Sequence, residues 1–259
     1  MDLGIAGRRA LVCASSGGLG FACAEALAAE GVHVVINGRD PARLEQAAAT
    51  LRRTARGEVV AVAGDVTTEA GRQALLAAAP APDILVNNNA GPKPGDFLDF
   101  AHADWLAAFE GNLVAALMLV RAVLPAMVER RFGRIVSITS AMVTTPRSPM
   151  ALSSGARAGL TAVLKGLSFE VARHNVTINN LLPERVDTGR QLQLAEMAMR
   201  RDGITYEEAR RRQAETIAAK RLGTPREFGA ACAFLCSDLA GYISGQNLHL
   251  DGGTYPALV

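Results

Sequence analysis

The stretch ALVCASSGGLGFACAEALAAEG, residues 10–31, changes its period partway along. Ala10 to Ala14 is a short apolar run of the kind that fills a strand buried on both faces. From Phe21 onward alanine, leucine and glutamate follow at helical spacing. Between the two lie Gly17, Gly18 and Gly20, which allow a tight turn and let an anion approach the free N–H groups that open a helix. A glycine cluster alone is weak evidence. At a strand-to-helix junction it points to a nucleotide crevice.

The rest of the chain repeats the same alternation. VHVVIN (32–37), VVAVAGDV (59–66), DILVNN (83–88), GRIVSITS (133–140) and NVTINNLLP (175–183) read as buried strands, and NLHLDGG (247–253) as a last short one. Helical patterns such as PARLEQAAATLRRT and PREFGAACAFLCS separate them. This alternation predicts an α/β fold: one Rossmann-like domain over 1–259, a doubly wound parallel sheet with helices on both faces. No repeat or linker interrupts it. The segment 189–222 is polar, rich in Arg and Glu, and follows the sixth strand, where an insertion lies over the ligand crevice. It is expected to form a substrate lid. Its arginines at 200, 201, 210, 211 and 212 face glutamates and aspartates nearby, so a solvated face is their default, with an acidic carrier or coenzyme-A group left open as a partner.

Composition narrows the function classes. A formal charge of +2 gives no ground for a nucleic-acid or membrane-surface partner. Cys13, Cys23, Cys232 and Cys236 have no metal-ligand spacing and read as buried thiols, so no metal is expected. The N-terminal residues lack an apolar signal core, and LVAALMLVRAVLPAM (113–127) is broken by Arg121 and Pro125 and is too short for a bilayer. A cytoplasmic protein with a small-molecule substrate is expected. At the end of the second strand, INGRD places Gly38 where a carboxylate would bind ribose hydroxyls, with Arg39 beside it. A guanidinium there pairs with a 2′-phosphate, which favours NADP(H) over NAD(H), while Asp40 serves as the cap of the next helix.

With these motifs in order, the chain resembles the short-chain dehydrogenase/reductase family along its whole length. Cys13 to Gly20 corresponds to that family's TGxxxGxG, with Cys13 at the Thr and Ala14 at the first Gly. The resemblance implies cofactor contacts from Ser15, Gly18, Leu19 and Gly20, and adenine-side contacts from Asp65 and Val66. Asn87 to Ala90, followed by Gly91, matches the NNAG segment, which assigns Asn88 and Ala90 to the cofactor. Thr188 in LLPERVDTG falls where the family touches the nicotinamide carboxamide. Asn112 falls on the helix asparagine of the proton relay and Ser140 on the catalytic serine. The family also implies a homo-oligomer, a dimer or tetramer, built on the helices around Asn112 and Ser153.

The resemblance breaks at one place. Thirteen residues after Ser140 the family has its catalytic Tyr, and four further on its Lys; here those positions are Ser153 and Arg157. A serine hydroxyl is shorter than a phenol and cannot be tuned toward neutrality by one guanidinium. Arg157 can keep the ribose contact and the positive field but does not relay protons as Lys does. Three readings follow. The first is a 3-oxoacyl-reductase-like NADP(H) oxidoreductase whose proton comes from Glu184, Tyr206, Lys93, the substrate or a held water. The second is non-redox chemistry on the same fold, as in halohydrin dehalogenases, which share the Arg but retain the Tyr and lose the glycine turn. The third is a nucleotide-binding sensor without catalysis.

Overall fold

Residues of one strand point alternately to the two faces of a sheet, and β1 (Arg9–Val12) shows the consequence. Ala10 and Val12 enter one apolar core, and Leu11 enters the other. The same split recurs in β4 (Ile84–Asn87), where Val86 faces the first core and Leu85 the second. Both faces are covered, which is why these strands read as unbroken apolar runs rather than as alternating ones.

The computed structural model describes residues 1–258. With β2 (His33–Gly38), β3 (Val59–Ala63), β5 (Gly133–Ile138), β6 (Val176–Pro183) and β7 (Asn247–Leu250), these strands form one parallel sheet of seven in the order β3-β2-β1-β4-β5-β6-β7. The order reverses between β1 and β4, and a ligand crevice opens at the carboxyl ends of the strands there. Helix α1 (Gly18–Ala29) packs on one face with α2 (Pro41–Arg52) and, near the C-terminus, α9 (Pro225–Leu235). Gly229 of α9 passes so close to α1 that a Cβ there would stand 2.3 Å from the Ala22 carbonyl oxygen. The other face carries α3 (Glu69–Ala78), α5 (Ala115–Glu129) and α6 (Ala151–Val171). The segment expected as a lid folds as two helices, α7 (Gly189–Asp202) and α8 (Tyr206–Glu215).

One sequence expectation needs correction. Helix α4 (His102–Phe109) joins α5 through a single wide π turn at Glu110–Val114, so the helical run His102–Glu129 spans 28 residues and is long and apolar enough to cross a membrane. Pro125 does not end it. The run is a core helix: Leu119, Val120, Val123 and Met127 pack with Leu85 and Ile135 of the sheet, while Arg121 lies on the exposed side.

The seat of α1 determines where the crevice lies. A Cβ on Gly20 would stand 2.5 Å from the Ala14 carbonyl oxygen and 2.8 Å from the Asn88 Nδ2, so the helix reaches its position only with glycine there. Gly20→Ala is expected to lower the unfolding free energy by about 1–3 kcal/mol, measured from the urea midpoint at unchanged slope.

Candidate active site

The turn after β1 is stapled from below. Ala14 takes a left-handed φ of 44°, a conformation that its Cβ resists. The Asn88 amide donates to the Ala14 carbonyl at 3.1 Å, and the Ala14 N–H donates to Asn37 Oδ1 at 3.2 Å. Ser15 then points inward and is fully buried. Its hydroxyl donates to the Val12 carbonyl at 2.7 Å and accepts the Asn37 N–H at 2.9 Å, while its own N–H donates to the Asn37 carbonyl at 2.7 Å. This corrects the expectation of Ser15 as a cofactor contact: its hydroxyl donates back to β1, its N–H donates to β2, and it does not line the cleft above. Asn37, which sequence reasoning passed over, extends the staple to the Gly64 carbonyl beyond β3 at 2.9 Å.

Above the turn lies a cleft of about 230 Å³ whose lining includes Ser16, Gly17, Arg39, Arg43, Asp65, Val66, Asn88 and Ala90. No side chain caps α1 at Gly17, so the first N–H groups of the helix stay open to an anion. Arg43 was not legible as a site residue. Asp40 caps α2 by accepting the Arg43 N–H at 3.1 Å, and the helix direction this sets carries the Arg43 Nη2 to 2.6 Å from where a Cβ on Gly17 would stand. Asp65 accepts the Thr67 N–H at 2.9 Å and the Thr67 hydroxyl at 2.8 Å. Those bonds, with Arg39 nearby, hold its carboxyl below the usual range.

Farther along the crevice the catalytic candidates divide between two spaces. Ser140, half-buried after β5, lines a cleft of about 290 Å³ with Leu19, Glu184 and Thr188. Its oxygen accepts the Met142 N–H at 3.2 Å. Thr188 faces α1 across the gap, with its Cβ 4.0 Å from where a Cβ on Gly18 would stand. Glu184 lies 3.7 Å from Arg147 and 3.9 Å from Arg185. Lys93 is exposed and Tyr206 opens α8 at 40% exposure; neither lines this cleft.

The second space is a small pocket of about 20 Å³ behind the NNNAG loop, where Asn88, Asn112 and Arg157 meet an apolar wall of Leu119 and Leu160. Asn112 sits in the π turn and donates weakly to the Ala90 and Ala108 carbonyls at 3.5 and 3.4 Å. Arg157 is buried on α6, and its Nη1 donates to the Ile138 and Thr139 carbonyls at 2.7 and 2.8 Å. Its Nη2 lies 3.5 Å from where a Cβ on Gly91 would stand, so the guanidinium bridges the end of β5 and the loop after β4. Burial pushes this guanidinium down to about 10, which leaves it charged at neutral pH. No carboxylate pairs with it among the described residues. Ser153 is buried one helical turn earlier on the same face, and its hydroxyl lines neither space.

This arrangement has known counterparts. The family described as enoyl-(acyl carrier protein) reductase matches residues 13–255. The NADPH-dependent reductase BacG of Bacillus subtilis is 31% identical over 256 residues, covering 97% of this chain and 99% of that protein. The 3-oxoacyl-[acyl-carrier-protein] reductase FabG of Vibrio cholerae is 31% identical, covering 98% and 99%. Among solved structures, the L-sorbose reductase of Gluconobacter frateurii, complexed with NADPH and L-sorbose, superposes with a TM-score of 0.94 at 31% identity over 100% of both chains.

The left-handed Ala14 is a strained point in an otherwise well-bonded turn. Ala14→Gly is expected to raise the unfolding free energy by about 1 kcal/mol, because glycine takes that φ without steric cost. Chemical denaturation measures it; an unchanged or lower midpoint would contradict the assignment of strain.

Proposed function

The chain belongs to the short-chain dehydrogenase/reductase family, and on that premise we propose an NADP(H)-dependent oxidoreductase that interconverts a carbonyl and a hydroxyl group. The reading is 3-oxoacyl-reductase-like, with Ser153 and Arg157 standing where the family has Tyr and Lys. The observation that carries it is the pair of guanidiniums, Arg39 and Arg43, flanking the open N-terminus of α1. The cofactor fits this end of the crevice. Gly20 keeps the turn low, and Gly38 leaves the end of β2 without a carboxylate. Two guanidiniums at that end, against the one carboxylate of Asp65, suit a 2′-phosphate.

When bound, NADPH supplies the hydride that reduces the carbonyl. The protein's part is to place that carbonyl and manage the charge that develops on its oxygen. Ser140 already accepts the Met142 N–H, so its O–H is free to donate to the substrate oxygen in the cleft. Arg157, buried and without a carboxylate partner, supplies a positive field that a low-dielectric interior screens little, and so favours an alkoxide-like transition state. In this reading it takes over the electrostatic part of the Lys role. The proton comes through Glu184, the carboxylate that lines the cleft with Ser140, and ultimately from water. Asn112 acts as a polar neighbour that holds water rather than as an acid, and Ser153, whose hydroxyl lines neither space, takes no part in proton transfer. Helices α7 and α8 act as the substrate lid. The same reading makes the protein a cytoplasmic homo-oligomer, a dimer or tetramer, supported by Leu106, Phe109, Val163 and Phe169, which α4 and α6 leave exposed.

Two measurements test this. NADPH is expected to bind more tightly than NADH, and Arg39→Ala should weaken NADPH by about tenfold while changing NADH little. Absence of binding to either nucleotide refutes the reading; equal loss for both refutes the role of Arg39. The double variant Ser153→Tyr, Arg157→Lys should raise NADPH-dependent reduction of ketones and 3-oxoacyl thioesters by about 100-fold over wild type, the scale of one general acid. A variant that binds NADPH yet shows no gain would separate this pocket from the family's mechanism.

A further inference from the structure

Arg200, Arg201, Arg210, Arg211, Arg212 and Arg221 of the lid segment each meet a carboxylate at 3.5 Å or less. Arg190 is the exception. Among the described residues its side chain makes no hydrogen bond or ion pair, and, although exposed, it is the arginine of α7 that lines the cleft beside Ser140. An unpaired arginine on open surface carries no message; one left unpaired in a concave wall, while the rest of its segment is neutralised, does.

A second cation enters the same cleft from a different element. Arg147, in the loop after β5, is half-exposed, and its nearest acid is Glu184 at 3.7 Å. Arg185 shares that carboxylate at 3.9 Å. Arg185 is otherwise occupied, donating from Nε to the Thr216 hydroxyl at 2.7 Å and from Nη1 to Gln191 Oε1 at 3.4 Å. Three guanidiniums therefore line the cleft against one carboxylate, and the excess charge sits on Arg190 and Arg147. Met142, Met150 and Leu194 make the intervening wall apolar. A neutral ketone would leave this cation excess unanswered. A substrate oxyanion would answer it with charge-assisted, bidentate bonds.

We infer that the cleft recognises a carbonyl compound bearing a carboxylate or phosphate, with its apolar stem along the methionines and its oxyanion between Arg190 and Arg147. This rests on the reductase reading for the carbonyl, but the anion site is measurable without turnover.

The test is calorimetric titration of the intact protein, with and without NADPH, using two matched pairs: 2-oxohexanoate against its methyl ester, and dihydroxyacetone phosphate against dihydroxyacetone. The charged member of at least one pair is expected to bind roughly tenfold or more tightly than its neutral partner. Which pair shows the preference distinguishes carboxylate from phosphate. Added salt should erode the preference, Arg190→Gln should reduce it about tenfold, and Arg190→Lys should restore part of it. Equal affinities within both pairs, or no binding of either anion, overturn the inference. So does an Arg190→Gln variant that loosens NADPH as much as the anion, which would assign the guanidinium to the cofactor's phosphates. Anion preference without NADPH oxidation keeps this inference and refutes the reductase reading. Turnover of neutral ketones alone does the reverse.

Discussion

The carbonyl of Ala14 is the point from which the site is laid out. It accepts the amide of Asn88 from the end of β4, and it marks the surface over which α1 passes with only a glycine's clearance at Gly20. A single oxygen thus fixes three things: the direction of the helix N-terminus, the loop after β4, and the depth of the crevice between them. The left-handed turn at Ala14 sends Ser15 into the fold, where it and Asn37 lock the ends of β1 and β2. A polar staple of this kind is fully satisfied and buried, and such networks hold a unique geometry because any partial rearrangement leaves groups unpaired.

That geometry brings opposite electrostatic problems to the two ends of the crevice. Beside the turn after β1, Arg39 and Arg43 stand exposed, and the bonds from Thr67 hold Asp65 in its charged form. At the other end Arg157 is buried with only carbonyl dipoles from Ile138 and Thr139 for company. Burying a cation with no acid is unfavourable for folding, and its pKa is lowered as a result. In the proposed function, the same charge beside the loop after β4 would favour negative charge in a substrate. A Lys there would offer the field and a transferable proton. An Arg offers the field and holds its proton.

The sheet was legible in the residues, because two-sided burial leaves continuous Val/Ile runs and glycine marks the turn after the first of them. Asn112 was legible through its motif, but its setting in a π turn at Glu110–Val114 was not, since one wide turn leaves no composition signal. Arg43 was hidden because it takes its place from the direction in which Asp40 caps α2. Ser15 was misread for the opposite reason: the motif names the position, while the φ of Ala14 decides which way the side chain turns. Of the three candidate proton sources Glu184, Tyr206 and Lys93, position along the chain already favoured Glu184, which follows Pro183, and of the three only Glu184 lines the cleft with Ser140.

By itself, then, the sequence determined the order of strands and helices, the nucleotide turn and the expectation that Ser153 and Arg157 stand where the resembled family has Tyr and Lys, because each is written in neighbouring residues or in short fixed spacings. Tertiary structure decided which charges remain unanswered. Arg200 of α7 and Arg211 and Arg212 of α8 find acids within about a turn of their own helix, a pattern that spacing already contains. Whether Arg190 or Arg157 has a partner depends on what other elements bring near, and that is set by how the sheet and helices pack around the crevice.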